Sequence, residues 1–521
     1  SFDEVDLLDR KDIMESAAAR TCFPRWYDRQ AFARYNLMQF SARFVREYLQ
    51  LDPQAKTGFE GTGGFGDDYD LICGINTFYG PYPSIGDDII RSIYPRDRVR
   101  SNWMGYSKTG DALSDAAWRM VIKGMDSIWF WMWSGIGSWR GYLRPTLDYW
   151  PATADLTAEM APVRQGLGHL ILQSQPLHSG IAVFYNLPSA LACQLEGNAG
   201  FGNAASVHEA LAQMTYELGL DFVYVTSARL KAGVLRTGEF KILMLPTMQA
   251  FSAEEAAEIR QFVEAGGTLV ADVRPGVFDG HCKPILPGCL DDVFGVRRTG
   301  RGKAATAAVA ARTKLGGQDI RLNLAAAKID QEVQAATAEP LAMAGDTPVL
   351  LVNRFGSGRA MLLNFQLLPA RDEDAAALRD LLKAIYAEAG ARSAVQFTDP
   401  KGGPLRQTET RIWKNGNSLV FGLLRRMECA WFSPKTGTIG GPPQPARVTL
   451  REPLYVYDLR ARKFLGRVAS FDTLLRWGRA NFFLATPYPI GGLKVALSKP
   501  NPARGEALFA DISLDLPPGA K

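Results

Sequence analysis

Residues Phe240 to Asp279 read FKILMLPTMQAFSAEEAAEIRQFVEAGGTLVADVRPGVFD. The stretch opens on an apolar run, Ile242 to Pro246, of a length that suits one buried strand. Ser252 follows, with Glu255 three residues on, the reciprocal pair that starts a helix. Ile259, Phe262 and Val263 then recur at helical spacing, and Gly266-Gly267 ends the helix. Thr268 to Val273 is a second apolar run. Strand, helix and strand joined by short turns predict a βαβ unit within a doubly wound parallel sheet.

The same texture extends on both sides. Gly180 to Tyr185 (GIAVFY) reads as a buried strand, Val207 to Leu218 as a helix and Phe222 to Val225 as the next strand. Gly300 to Ala344 is Ala-rich and reads as an irregular insertion of weak strands. Val349 to Asn353 and Met361 to Phe365 pair as a hairpin about Gly356-Ser357-Gly358. Leu378, Leu381, Leu382 and Ile385 mark a closing helix that ends at Gly390. This unit is placed at 176–392. From 393 to 521 the pattern shifts to short alternating strands, among them Leu419–Leu424, Ala446–Leu450, Leu454–Tyr457 and Gly492–Leu497. Gly and Pro punctuate them, which predicts a small antiparallel β-sandwich or barrel.

Residues 1–175 alternate again. A helix is expected from Trp26 to about Gln50, closed by Pro53. Strands are expected at Lys56–Phe59, Tyr69–Ile75, Val99–Met104 and Asp126–Trp133. Leu113, Ala117, Met120 and Val121 give a helical stripe before Gly124. Four strand–helix steps predict half of a (β/α)8 barrel, with its site at the strand ends. The fold class is therefore multidomain α/β: a partial barrel, a doubly wound domain and a small antiparallel β domain.

Composition narrows the function. A chain of 521 residues accommodates about three domains. A net charge of +5 with no dense Lys/Arg tract gives no reason to expect nucleic acid. No run of about 18 apolar residues occurs, so no membrane span is expected, and the chain reads as soluble, cytoplasmic or periplasmic. Cys22, Cys73, Cys193, Cys282, Cys289 and Cys429 form no CxxC pair. His169, His178, His208 and His281 lie at no ligand spacing. Neither a metal nor another cofactor is expected. Ser1 opens the chain with no signal-like segment, and the expectation is a fragment or one subunit of a split protein.

Glu60, in Gly58-Phe59-Glu60-Gly61-Thr62-Gly63-Gly64, ends the first strand among glycines that leave room for a sugar ring. Asp67 and Asp68 follow it. These three are the candidate catalytic carboxylates, since glycoside hydrolysis uses two carboxyl groups flanking the bond. In Ile128-Trp129-Phe130-Trp131-Met132-Trp133, alternation places the three tryptophans on one face. Trp131 and Trp133 are candidates for stacking on a sugar. Asn76, Tyr79, Asn102, Trp103 and Tyr106 are candidates for contacts to it. The acidic loop residues read equally well as solvated surface, and the aromatics as core.

The segment quoted first, with a half barrel before it and a β domain after it, resembles the glycoside hydrolase family 42 beta-galactosidases. The doubly wound part is similar to that family's trimerisation domain, itself similar to class I glutamine amidotransferases. The resemblance implies a carbohydrate substrate and a homotrimer. It also implies that the first four barrel strands, and an Asn-Glu pair holding the general acid/base, lie upstream. The family nucleophile is a Glu ending the seventh strand. Here that strand reads Val99-Arg100-Ser101-Asn102-Trp103-Met104-Gly105-Tyr106, with no carboxylate. A carbohydrate-binding pseudoenzyme and an assembly subunit of the same fold therefore stay open beside the hydrolase. Amidotransferase chemistry is not expected, because the turn Thr247-Met248-Gln249-Ala250-Phe251 holds no Cys nucleophile.

Overall fold

The computed structural model describes residues 23–60, 64–105, 110–135, 141–197, 200–300, 302, 304–427 and 442–518. It begins with a long helix, α1 (Phe23–Leu51), which turns Trp26, Met38, Ser41 and Val45 inward. Then β1 (Gly58–Glu60), α2 (Tyr69–Ile75), β2 (Phe78–Gly80), α3 (Gly86–Ile93), β3 (Val99–Gly105), α4 (Gly110–Ile122) and β4 (Ser127–Trp131) alternate. The four strands are parallel and lie in chain order, β1-β2-β3-β4. This is the expected half-barrel pattern with one correction. Tyr69–Ile75 is a helix, and the strand follows it at Phe78–Gly80. The Asp68 side chain accepts from Leu71 N, and Tyr69, Ile72 and Cys73 bury one face at helical spacing.

The second unit is built on β6 (Ile181–Tyr185), β7 (Phe222–Thr226), β8 (Ile242–Leu245) and β9 (Thr268–Ala271). A short strand before them, β5 (Gln175–Leu177), belongs elsewhere. Further on come β10 (Ala304–Leu315), β11 (Gln318–Asp330), β12 (Glu339–Ala344), β13 (Thr347–Phe355) and β14 (Gly358–Leu363). Seven of these make one sheet in the order β12-β13-β14-β9-β8-β6-β7. The strands from β14 to β7 run parallel, and β13 and β12 close the edge antiparallel. Ser252 and Glu255 form the expected capping box. The Ala-rich segment is more regular than expected, because β10 and β11 form a long antiparallel hairpin. Ile320, Leu322 and Leu324 alternate into the core against Leu378, Leu381 and Leu382 of the closing helix, and the polar positions between them stay outside.

The third unit is one antiparallel sheet in place of two facing sheets. It contains β15 (Val395–Thr398), β16 (Thr408–Asn415), β17 (Ser418–Arg425), β18 (Gln444–Asp458), β19 (Lys463–Leu475) and β20 (Ala480–Thr486). The order is β15-β18-β20-β17-β16-β5, with β19 on β18. β18 pairs with β15 along its first half and with β20 along its second, across a register shift between Thr449 and Leu454. That bend curls the sheet around Phe397, Phe421, Val448, Val456 and Phe483. β5 adds to β16, so this sheet borrows a strand from ahead of the second unit. A final hairpin, β21 (Gly492–Leu497) and β22 (Ala510–Asp515), stands apart. No helix among the described residues is long and apolar enough to cross a membrane.

A buried ionic cluster joins the three units. Asp88, in α3, accepts through Oδ1 from Arg91 Nε at 2.7 Å, Tyr216 OH at 2.6 Å and Arg411 Nη2 at 2.8 Å. Its Oδ2 accepts from Lys123 Nζ at 2.7 Å. Arg411, on β16, also donates to Asp221, which Arg91 reaches at 2.9 Å. Glu409 lies 3.1 Å from Lys123 Nζ and 3.0 Å from Arg411 Nη2. Arg426 lies 3.3 Å from Glu409 and 3.5 Å from Asp115. Four carboxylates thus face four cations. Burial alone would raise the Asp88 carboxyl, but Lys123, Arg91 and Arg411 outweigh it and hold it well below the usual range. Burial likewise opposes ionisation of Glu409, and Lys123 and Arg411 bring it down to about 2. Removing one partner from such a cluster strands the others. The R411M chain should therefore lose about 3–5 kcal/mol of unfolding free energy in urea. A loss below about 1 kcal/mol would contradict the role assigned to Arg411.

Candidate active site

The register of the parallel strands decides which side chains share a face, because paired residues point the same way. Trp103 on β3 pairs with Trp129 on β4, and Gly58 and Glu60 on β1 pair with Phe78 and Gly80 on β2. The rings close the argument: Phe78 to Trp129 is 5.1 Å, Trp103 to Trp129 5.6 Å and Trp103 to Trp131 5.9 Å between centroids. Glu60, Phe78, Gly80, Trp103, Trp129 and Trp131 therefore occupy one face. Gly80 is required there, since a Cβ would stand 2.6 Å from Ser101 Oγ. The opposite face carries Met104, Ile128 and Phe130, packed on Leu113 and Ala117 of α4, on Tyr142 and on Leu156. The barrel lumen is the aromatic face. Glu60 is exposed at the carboxyl end of β1, on one edge of the four strands, and Trp129 and Trp131, each 39% exposed, stand toward the carboxyl end of β4, on the other edge.

Several sequence candidates lie elsewhere. Asn76 precedes β2, at the far end from Glu60, and is fully buried. It accepts from Ser41 Oγ at 3.0 Å and donates to Ile72 O at 3.0 Å, tying α1 to α2. Tyr79 is fully buried in the main core, on the helix side with Phe59. Asn102 alternates with Trp103, so it faces the helices, where it donates to Asp87. Burial lifts the Asp87 carboxyl to about 6, with Arg119 and Lys123 pulling the other way. Asp68 caps α2, with Leu71 N donating to it at 3.1 Å, and burial raises its carboxyl. Asp67 accepts from Gly64 N at 3.0 Å, and its carbonyl accepts from Tyr185 OH at 2.8 Å. Both aspartates tie the loop to its own helix and to the second unit. Trp133 lies past the end of β4, beside Tyr149 at 6.2 Å, and lines an apolar cavity of about 400 Å³ on the helix side. Tyr106 is outside the described residues. Phe78 is a lumen residue outside the sequence candidates, because its strand lies after the helix Tyr69–Ile75 and not within it; Ser101, on the expected strand β3, shares the lumen face.

The end of β3 is Trp103-Met104-Gly105, with no carboxylate. Among the described residues, the lumen face carries one carboxylate, Glu60, and an aromatic wall two to three strands away. Flat aromatic surface suits the apolar face of a pyranose ring, and a carboxylate suits hydroxyls or an anomeric centre.

A half barrel of parallel strands is followed by a doubly wound sheet and a curled antiparallel sheet. Residues 235–392 match the Beta-galactosidase trimerisation domain. The whole fold is GH42-like. It is similar to a beta-galactosidase from Bacillus circulans sp. alkalophilus (TM-score 0.70, 16% identity, 88% of this chain and 68% of that one). It is also similar to a GH42 beta-galactosidase from G. stearothermophilus (0.66, 15%, 89% and 69%). An exo-carrageenase of GH42 from Bacteroides ovatus is more distant (0.51, 12%, 89% and 56%). Among curated proteins, none matches by sequence.

The Asp68 assignment is open to test. D68A should lower the unfolding free energy by about 1 kcal/mol, the usual worth of a helix N-cap. It should leave sugar affinity unchanged, and a selective loss of sugar binding at unchanged stability would return Asp68 to the site.

Proposed function

We propose that this chain forms part of a glycoside hydrolase acting on β-galactosides or related β-linked sugars. The observation that carries the reading is the shared lumen face of Glu60, Trp103, Trp129 and Trp131, in a chain bearing a family 42 trimerisation domain. Four described strands are half of an eight-stranded barrel. The other four are proposed to come from polypeptide beyond these residues and to bring the second carboxyl group. The tryptophans then hold the sugar by stacking, and Glu60 acts at the bond as nucleophile or as general acid/base. The trimerisation domain supports a homotrimer as the assembled form, and no cofactor is needed for this chemistry.

One observation favours a second reading. Through Gly105 the end of β3 carries no carboxylate, whereas the family 42 nucleophile ends the seventh strand, so a sugar-binding barrel without hydrolysis fits the same aromatic face. The substitution E60Q, made in the protein with its barrel complete, separates the two. It preserves shape and most hydrogen bonds while removing the charge. If Glu60 is catalytic, turnover of an aryl β-galactoside should fall at least about a hundredfold. A change of a few fold, confined to KM, would make Glu60 a binding residue.

A further inference from the structure

Five cations converge on a small cavity where the three units meet. Arg91, Arg96, Arg100 and Lys123 of the half barrel line it together with Arg411 of β16. Asp221 is the single carboxylate among the described residues that line it. The cavity measures about 20 Å³, and about 10–15 Å³ is enough to admit one water-sized sphere. The five cations make ion pairs with four carboxylates, Asp88, Asp126, Asp221 and Glu409. Arg426 shares Glu409 but brings Asp115 as a partner of its own, so it leaves the balance unchanged. Arg96 is the cation left over. Among the described residues its Nη2 donates to Leu172 O at 2.9 Å and Ser174 O at 2.7 Å, and it meets no carboxylate. Burial and then the charge of Arg100 hold its guanidinium below the usual arginine pKa, with Asp126 opposing them. A second observation is independent of this charge balance. Arg411 is 3% exposed, and its Nε is a buried donor with no acceptor among the described residues. A buried N–H left without an acceptor is costly, and the cost falls away when a ligand accepts from it.

We infer that this cavity binds one monovalent inorganic anion of the size of chloride. A water molecule in the same space would accept from Arg411 Nε but leave the surplus positive charge unanswered, whereas an anion answers both. Room for about one small sphere excludes phosphate and any carboxylate-bearing metabolite. The Asp221 charge is already shared by Arg91 and Arg411 through Oδ1, so it does not offset the surplus. Arg96 is exposed and stands on the solvent side of the cavity, which gives the ion a way in. Because the lining comes from all three units, the anion binds only when they are docked, and it stabilises that arrangement.

The experiment is thermal unfolding of the whole 521-residue chain at fixed ionic strength, with sodium gluconate replaced stepwise by sodium chloride. Gluconate is too large for the cavity and controls for general screening. The Tm of the wild type is expected to rise saturably with chloride, by about 1–2 °C at ten times the half-saturating concentration. R96Q, at an exposed position, is expected to fold and to lose that rise. No chloride-specific rise in the wild type, or a rise that R96Q retains, would overturn the proposal. Should R96Q fold poorly, crystals of the wild type grown in sodium bromide decide the matter. An anomalous peak beside Arg411 Nε is expected, and density there without anomalous signal, as a water would give, would overturn the site.

Discussion

Asp88 stands where the three units meet, and its carboxylate is bound by groups from all of them. Arg91 and Lys123 come from the half barrel, Tyr216 from a helix of the doubly wound unit and Arg411 from the curled sheet. The guanidinium of Arg411 also lies 4.1 Å from the Tyr216 ring centroid, so the charge is held by a π face as well as by carboxylates. A cluster of this kind is costly to bury and does not by itself add much stability. What it does is fix one arrangement. No carboxylate in it can lose its partner without leaving a charge in the dry interior, so the units have a single docking geometry.

The site inherits its geometry from that constraint. α3 carries Asp88 into the cluster, and its first turn carries Asp87 to Asn102 on β3. The same helix therefore anchors the strand whose next residue, Trp103, faces the lumen. On the opposite edge, the loop after β1 is tied to the second unit through Tyr185, which donates to the Asp67 carbonyl and accepts from Gly66 N at 3.1 Å. Asp70 accepts from Thr226 Oγ1 and from Ala228 N at 3.0 Å, pinning α2 to the end of β7. The aromatic wall and Glu60 are thus presented by strands held from behind. Fixed presentation of that kind is what a stacking site requires.

The sequence disclosed the middle unit well. Its central strands are continuous apolar runs, buried on both faces, and its helix carries its own start and stop signals in Ser252, Glu255 and Gly266. It was less clear about the barrel. Tyr69–Ile75 is a seven-residue apolar run, and periodicity alone does not separate a short strand from a short helix. The strand after it is only three residues long and leaves almost no pattern. The side of each strand was legible where residues alternate: Trp129 and Trp131 fell on the expected face, and Ile128 and Phe130 on the other. It was not legible for Asn76, Tyr79 and Asn102, because the polarity of a residue does not reveal whether it faces lumen or helix. Trp133 followed the alternation only until β4 ended. The ionic cluster was invisible, since its members are spread from Asp88 to Arg426 and each looks like an ordinary surface charge.

The claim that one cluster locks three units into a single cooperative block is tested most directly by native-state hydrogen exchange. The amides to compare are those of α3, β7 and β16, one element from each unit. If the account is right, all three open only with global unfolding, and their opening free energies agree within about 1 kcal/mol. If β16 exchanges through a separate, lower-energy opening while α3 and β7 stay protected, the third unit is an independent module and the account is wrong.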